Sequence, residues 1–84
     1  MGGERIYQLT IYFLETNTVI PLGGGGRTFL VQRMRALAKE LGNAGVNVVS
    51  DQSNARTAYP MICLETPTGA DIQLQVSDLE GDDI

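Results

Sequence analysis

The chain has 84 residues, of which 43% are hydrophobic and 19% charged, with a net charge of −4, one cysteine and no histidine. That size allows one domain with a small core, and the composition is globular rather than disordered. It excludes an internal disulfide and an ordinary zinc site, and the acidic balance argues against a duplex nucleic-acid binder.

No apolar run approaches the ~20 residues of a membrane helix. No charged stretch followed by an apolar core opens the chain, so no signal peptide is expected. Ile6 stands where a myristoylation signal wants Ser or Thr. With a single cysteine, Cys63, we expect a reducing compartment, the cytoplasm. We expect residues 1–4 to fray, 5–77 to form the domain and 78–84 to be an acidic tail.

Residues 5–14 alternate Tyr7, Leu9, Ile11 and Phe13 with Gln8, Thr10 and Tyr12, the period of a half-buried strand. A polar turn, 15–18, follows. Residues 19–22 make a short candidate strand, which Pro21 confines to a sheet edge because it removes a ladder donor. Four glycines, Gly23 to Gly26, then run into Arg27, Thr28 and a helix. Leu30, Met34, Leu37, Ala38 and Leu41 fall on one stripe of that helix, opposite Gln32, Arg33, Arg35, Lys39 and Glu40. Thr28 suits an N-cap, and Gly42 a C-terminal stop.

Beyond the helix, 46–50 reads as a strand with Val46 and Val48 facing one way, and 51–56 (DQSNAR) as a polar loop. Residues 57–65 read as a strand that Pro60 places at a strand start or an edge. Its inward set is either Ile62 and Leu64, or Tyr59, Met61 and Cys63. Thr66-Pro67-Thr68-Gly69 is a hairpin turn. Residues 70–77 alternate Ile72, Leu74 and Val76 with Asp71, Gln73 and Gln75. The expected fold class is α+β: a two-layer sandwich of a mostly antiparallel four- or five-stranded sheet with one helix on one face. Counting 19–22 as a strand, the order ββαβββ matches a β-grasp. That is an analogy of topology and carries no function. The chain ends Gly81-Asp82-Asp83-Ile84, without the Gly-Gly of ubiquitin-like carriers.

One helix leaves the second face of the sheet open. If Ile62 and Leu64 point inward, then Tyr59, Met61 and Cys63, joined by Tyr12, form an apolar patch on a face otherwise carrying Gln8, Thr10, Asn47, Gln73 and Gln75. Such patches mark interfaces, with a partner protein of unknown identity or with a second copy in a homodimer. Pro60 suggests an exposed strand edge as a further docking site.

The glycine run is a second candidate. Backbone N–H groups at a helix N-terminus attract anions, and glycine lets a phosphate approach closely. The stretch falls short of the phosphate-binding G-x-x-x-x-G-K-[ST] loop, with Pro21 for the first glycine and Arg27 for the lysine. A simpler site for a phosphate-bearing molecule would use Gly24, Gly25, Gly26, Arg27 and Thr28, with Arg33 assisting. The plainer alternative is a slack loop.

Catalysis has little support. No histidine is present for general-base chemistry at neutral pH, and Cys63 reads as a structural thiol. No cofactor is implied. Arg33, Arg35 and Lys39 with tyrosines on a sheet are ingredients for nucleic-acid binding, but six basic residues against ten acids weigh against it. Asp78, Glu80, Asp82 and Asp83 are acidic enough for loose Ca²⁺ binding but lack EF-hand spacing. Alternatively, the acidic tail folds over the basic helix face or mimics a polyanion toward a partner. The expected function is therefore a small non-enzymatic interaction module, an adaptor or inhibitor, with the phosphate site as the alternative.

Overall fold

The computed structural model describes residues 6–53 and 59–78. The elements are β1 (Tyr7–Phe13), β2 (Thr18–Gly25), α1 (Arg27–Asn43), β3 (Asn47–Gln52), β4 (Met61–Glu65) and β5 (Asp71–Asp78). The strands form one sheet in the order β2-β1-β5-β4-β3, antiparallel at every pairing. With α1 on one face, this is the expected two-layer α+β fold. β2 lies at an edge, as Pro21 requires. β1 and β5 lie side by side at the centre and run antiparallel. A β-grasp pairs its first and last strands in parallel, so the analogy stops at element order.

The alternation of β1 and β5 fixes the core. Leu9 pairs with Val76, Ile11 with Leu74 and Phe13 with Ile72. On the other side of β5, Leu74 pairs with Ile62 and Ile72 with Leu64. Directly paired residues share a face of the sheet, so these side chains form one apolar layer. The helix stripe closes it: Leu30, Met34 and Ala38 are buried against Leu9, Ile62, Leu64, Ile72, Leu74 and Val76, with Leu37, Leu41 and Val46 partly buried at the margin. Ile62 and Leu64 are therefore the inward set of β4.

Several local expectations are corrected. The glycines are not a loop: Gly23, Gly24 and Gly25 belong to β2, opposite Leu9, Gln8 and Tyr7. Gly23 and Gly25 have φ of 141° and 148°, a region essentially reserved for glycine. Their role is to let an edge strand follow β1 past a register shift between Leu9 and Thr10. Thr28 is not the N-cap. Gly26 holds that position in extended geometry, with no side-chain cap, and α1 begins at Arg27.

The helix also continues through Gly42. It ends where Gly45, at φ 100°, donates its N–H to the Gly42 carbonyl while Val46 donates to Leu41. This pair of bonds is the Schellman motif, which needs the left-handed residue one place beyond the cap. Val46, just before β3, packs at the core margin as expected, but Val48 within β3 is half exposed. The strand is an edge, with a register shift between Val48 and Ser50.

The β4–β5 turn follows its sequence: Gly69, at φ 91°, donates to the Thr66 carbonyl at 2.9 Å. Asp51 and Gln52, expected in a loop, extend β3, and Asp78, expected in the tail, ends β5. The frayed 1–4, the loop residues 54–56, the strand start at 57 and 58 and the tail from 79 onward lie outside the described residues.

Candidate functional site

The face of the sheet away from α1 follows directly from the register. One row crosses it as Val19, Tyr12, Gln73, Cys63 and Ser50; the next as Pro21, Thr10, Gln75, Met61 and Gln52. A third row holds Gln8 and Ser77, and a fourth, at the opposite end, Glu65 and Asp71. Of the proposed interaction residues, Tyr12, Met61 and Cys63 thus share the open face. Cys63 and Tyr12 sit on either side of Gln73, about 10 Å apart across two strand spacings. Each is only half-buried. Tyr59 lies exposed two residues before β4, outside the paired rows.

Between its ends the face carries no charge. Gln8, Thr10, Tyr12, Met61, Cys63, Gln73, Gln75 and Ser77 are all neutral. The charged exception is the end row, where the carboxylates of Glu65 and Asp71 stand directly opposite each other. Like charges in that position are destabilising. Near this end lies a depression of about 210 Å³, lined by Leu14, Val49, Cys63, Asp71 and Gln73 together with Leu64 and Ile72.

Val49 is the residue left unpaired by the β3 register shift. It is 63% exposed, the most exposed large hydrophobic residue of the described chain. With Val19 at the other edge, at 57%, it extends the apolar content of the Tyr12–Cys63 row to both sides of the sheet. Sequence alternation alone could not assign Val49 to this face, because a bulge resets the alternation. Tyr12 is positioned by its hydroxyl, which donates to Asn17 Oδ1 at 2.5 Å. Asn17 itself adopts the left-handed conformation, φ 56°, in the β1–β2 turn.

Pro60 does not mark an edge. It is buried just before β4, an interior strand, and its carbonyl accepts from Val76 N–H at 2.9 Å. The free edges are β2 and β3. Both carry devices that discourage strand addition: Pro21 and a register shift in β2, and a register shift at Val49 in β3.

The residues of the phosphate reading are separated. Gly24 and Gly25 lie in β2, Gly26 caps the helix, and Arg27 and Thr28 open it. Arg27, Thr28, Val31, Gln32, Arg35 and Ser53 line a groove of about 150 Å³ on the β3 side of α1. Arg33 lies on the β2 side, in a wider groove of about 350 Å³ with Leu22, Ala36, Leu37 and Glu40. Arg27 and Arg33 do not converge.

Arg35 instead supports a structural latch. Its Nε donates to Ser53 Oγ and its Nη2 to the Ser53 carbonyl, each at 3.0 Å. The Ser53 hydroxyl donates to Asp51 Oδ1 at 2.6 Å, and the Ser53 N–H donates to the same oxygen at 3.0 Å. The Ser53 hydroxyl is the main reason the Asp51 carboxyl is held below its ordinary range. Slight desolvation of this exposed side chain opposes the effect, and the Ser53 N–H and the Arg35 charge reinforce it. Ser53 is the one buried polar residue of the described chain, and the latch ties α1 to the end of β3. The Asp-x-Ser spacing, typical of a side chain folding back on the backbone two residues on, is the sequence signal that could have found it.

Among the described residues, no three Cys, Asp or Glu side chains gather as a metal site, and no helix is long and apolar enough to cross a membrane. No family model, curated protein or solved structure matches the chain.

Proposed function

We propose that this chain is a non-enzymatic protein-interaction module that docks a protein through the open face of its sheet. One observation carries the reading. The face opposite α1 is broad and neutral at its centre, and it gathers Tyr12, Met61 and Cys63, with Val19 and Val49 at its sides. Depletion of charge at the centre, with aromatic and sulfur-containing side chains present, is the compositional mark of an interface core. The two edges are each blunted, so the face is the better docking surface.

The test is Met61→Asp, which places a charge at the centre of the face. Thermal unfolding and circular dichroism check the fold. Capture by the tagged chain and sedimentation check association. The expected result is a folded variant that no longer associates, with another protein or with itself. A folded variant with unchanged association contradicts the reading, as does outright unfolding, which would make Met61 a core residue.

A second reading, a site for a phosphate-bearing molecule, draws support from the α1 N-terminus. No side chain caps it, no acidic residue lies in its first turn, and Arg27, Thr28 and Arg35 line one groove beside it. A phosphate compound at about 100 times its dissociation constant should raise stability by about 2.7 kcal/mol, or several degrees of Tm. Arg27→Ala should abolish that shift. A flat response to nucleotides and inorganic phosphate removes this reading.

A further inference from the structure

Resting on the open-face reading, we infer that the occupant of that face is a second copy of this chain, packed sheet to sheet about a two-fold axis that sets the strands of the two copies antiparallel.

Charge selects the occupant. The chain carries a net charge of −4, so two copies repel wherever acidic surfaces meet. The centre of the open face is the broad neutral surface on which they can approach. Its chemistry is also self-complementary. Gln8, Gln73 and Gln75 each present a donor and an acceptor, and Thr10, Tyr12 and Ser77 carry hydroxyls that do both. A two-fold interface requires one surface to satisfy itself. The apolar atoms of Met61, Cys63 and Tyr12 lie between these amides, in the rows of Gln75 and Gln73.

Area is sufficient. Five strands at ~4.8 Å spacing and about seven residues at ~3.4 Å each give a footprint of about 550 Å² per copy. A pair buries about 1,100 Å², close to the lower bound of specific interfaces.

The acidic end row sets the orientation. A two-fold along the strands would bring Glu65 and Asp71 of both copies to the same end. A two-fold across the strands places them over the Gln8 and Ser77 end of the other copy, where the described residues of the face, Gln8 and Ser77, are neutral. Packing near this alignment is the ordinary geometry of two stacked sheets.

The test is sedimentation equilibrium of the full chain from about 1 to 500 μM, with Gln75→Glu and Gln8→Lys beside the wild type. The expected wild-type mass rises from one copy to two. Gln75→Glu, which adds an acid at the centre of the face, should hold the chain at one copy. Gln8→Lys should tighten the dimer by roughly two- to tenfold, because each new Lys comes within reach of the other copy's Asp71 on the neighbouring strand, and that gain should vanish in high salt. A wild type of one copy at every concentration overturns the inference, as does a dimer indifferent to Gln75→Glu. Weakening by Gln8→Lys overturns the antiparallel orientation. If the chain stays monomeric while Met61→Asp abolishes capture of a different protein, the open-face reading stands and the self-association does not. If both tests are negative, both fall.

Discussion

The two faces of this sheet are built from the same strands, one residue out of step. On one face, Leu9, Ile62, Leu64, Leu74 and Val76 are essentially sealed beneath Leu30, Met34 and Ala38 of α1. On the other, Gln8, Thr10, Met61, Cys63, Gln73 and Gln75 are half-buried by their neighbours alone. The sealed face is aliphatic and derives its stability from burial. The open face avoids both extremes, being neither strongly apolar nor charged over its centre. A face selected only for solubility would carry Lys and Glu there; among the described residues the charges lie on α1, the turns and the sheet ends. The difference separates what holds the fold from what is left available to a partner.

Substitutions can break that division from either side. The largest effect belongs to the sealed face. Leu74→Ala, at the centre of the core, should cost about 2–5 kcal/mol of unfolding free energy by denaturant titration, a large fraction of what so short a chain commands. Next comes the edge. Gly23→Ala forces a side chain into a backbone region it avoids and should cost about 1–3 kcal/mol. Gly26→Ser, in ordinary extended geometry at the N-cap, should instead stabilise α1 by about a few tenths of a kcal/mol. Equal losses at both positions would contradict the assignment of the glycine run to β2.

The latch ranks third. Ser53→Ala should cost about 1 kcal/mol. It should also weaken the acid sensitivity of the fold. Asp51 titrates lower when folded than when unfolded, so its contribution is present above the ordinary carboxylate range and is lost as pH falls through the folded value. Stability measured against pH in wild type and Ser53→Ala would show this as a shallower acid limb in the variant. The smallest effect lies on the open face: Asp71→Lys turns a like-charge pair with Glu65 into an opposite-charge one and should add about 0.2–1 kcal/mol.

The sequence carried most of the division between faces, because alternation in β1 and β5 and the stripe on α1 are periodic signals that survive in a single chain. What it hid has physical causes. In β4, Ile62 and Leu64 compete with Met61 and Cys63, two sets that are both apolar, and only pairing with Leu74 and Ile72 decides between them. The bulge at Val49 resets the alternation of β3 and leaves that side chain exposed beside the open face. The glycines resemble slack because their conformation depends on β1 beside them. Gly42 resembles a helix stop, but the Schellman bonds are completed at Gly45 and Val46. Half of the latch is local, the Asp51-x-Ser53 turn, but its tie to Arg35 joins residues 18 apart in sequence, beyond the reach of any local pattern.

The most direct test of the open face uses its own thiol. Cys63 lies beside Gln73 near the centre of that face, so its alkylation rate reports whether the face is covered. The rate should be fast at about 1 μM and fall as concentration rises to several hundred micromolar, and Gln75→Glu should keep it fast throughout. A rate that stays constant with concentration while the chain dimerises, or a thiol already unreactive in the dilute protein, would contradict the placement of the interface on this face.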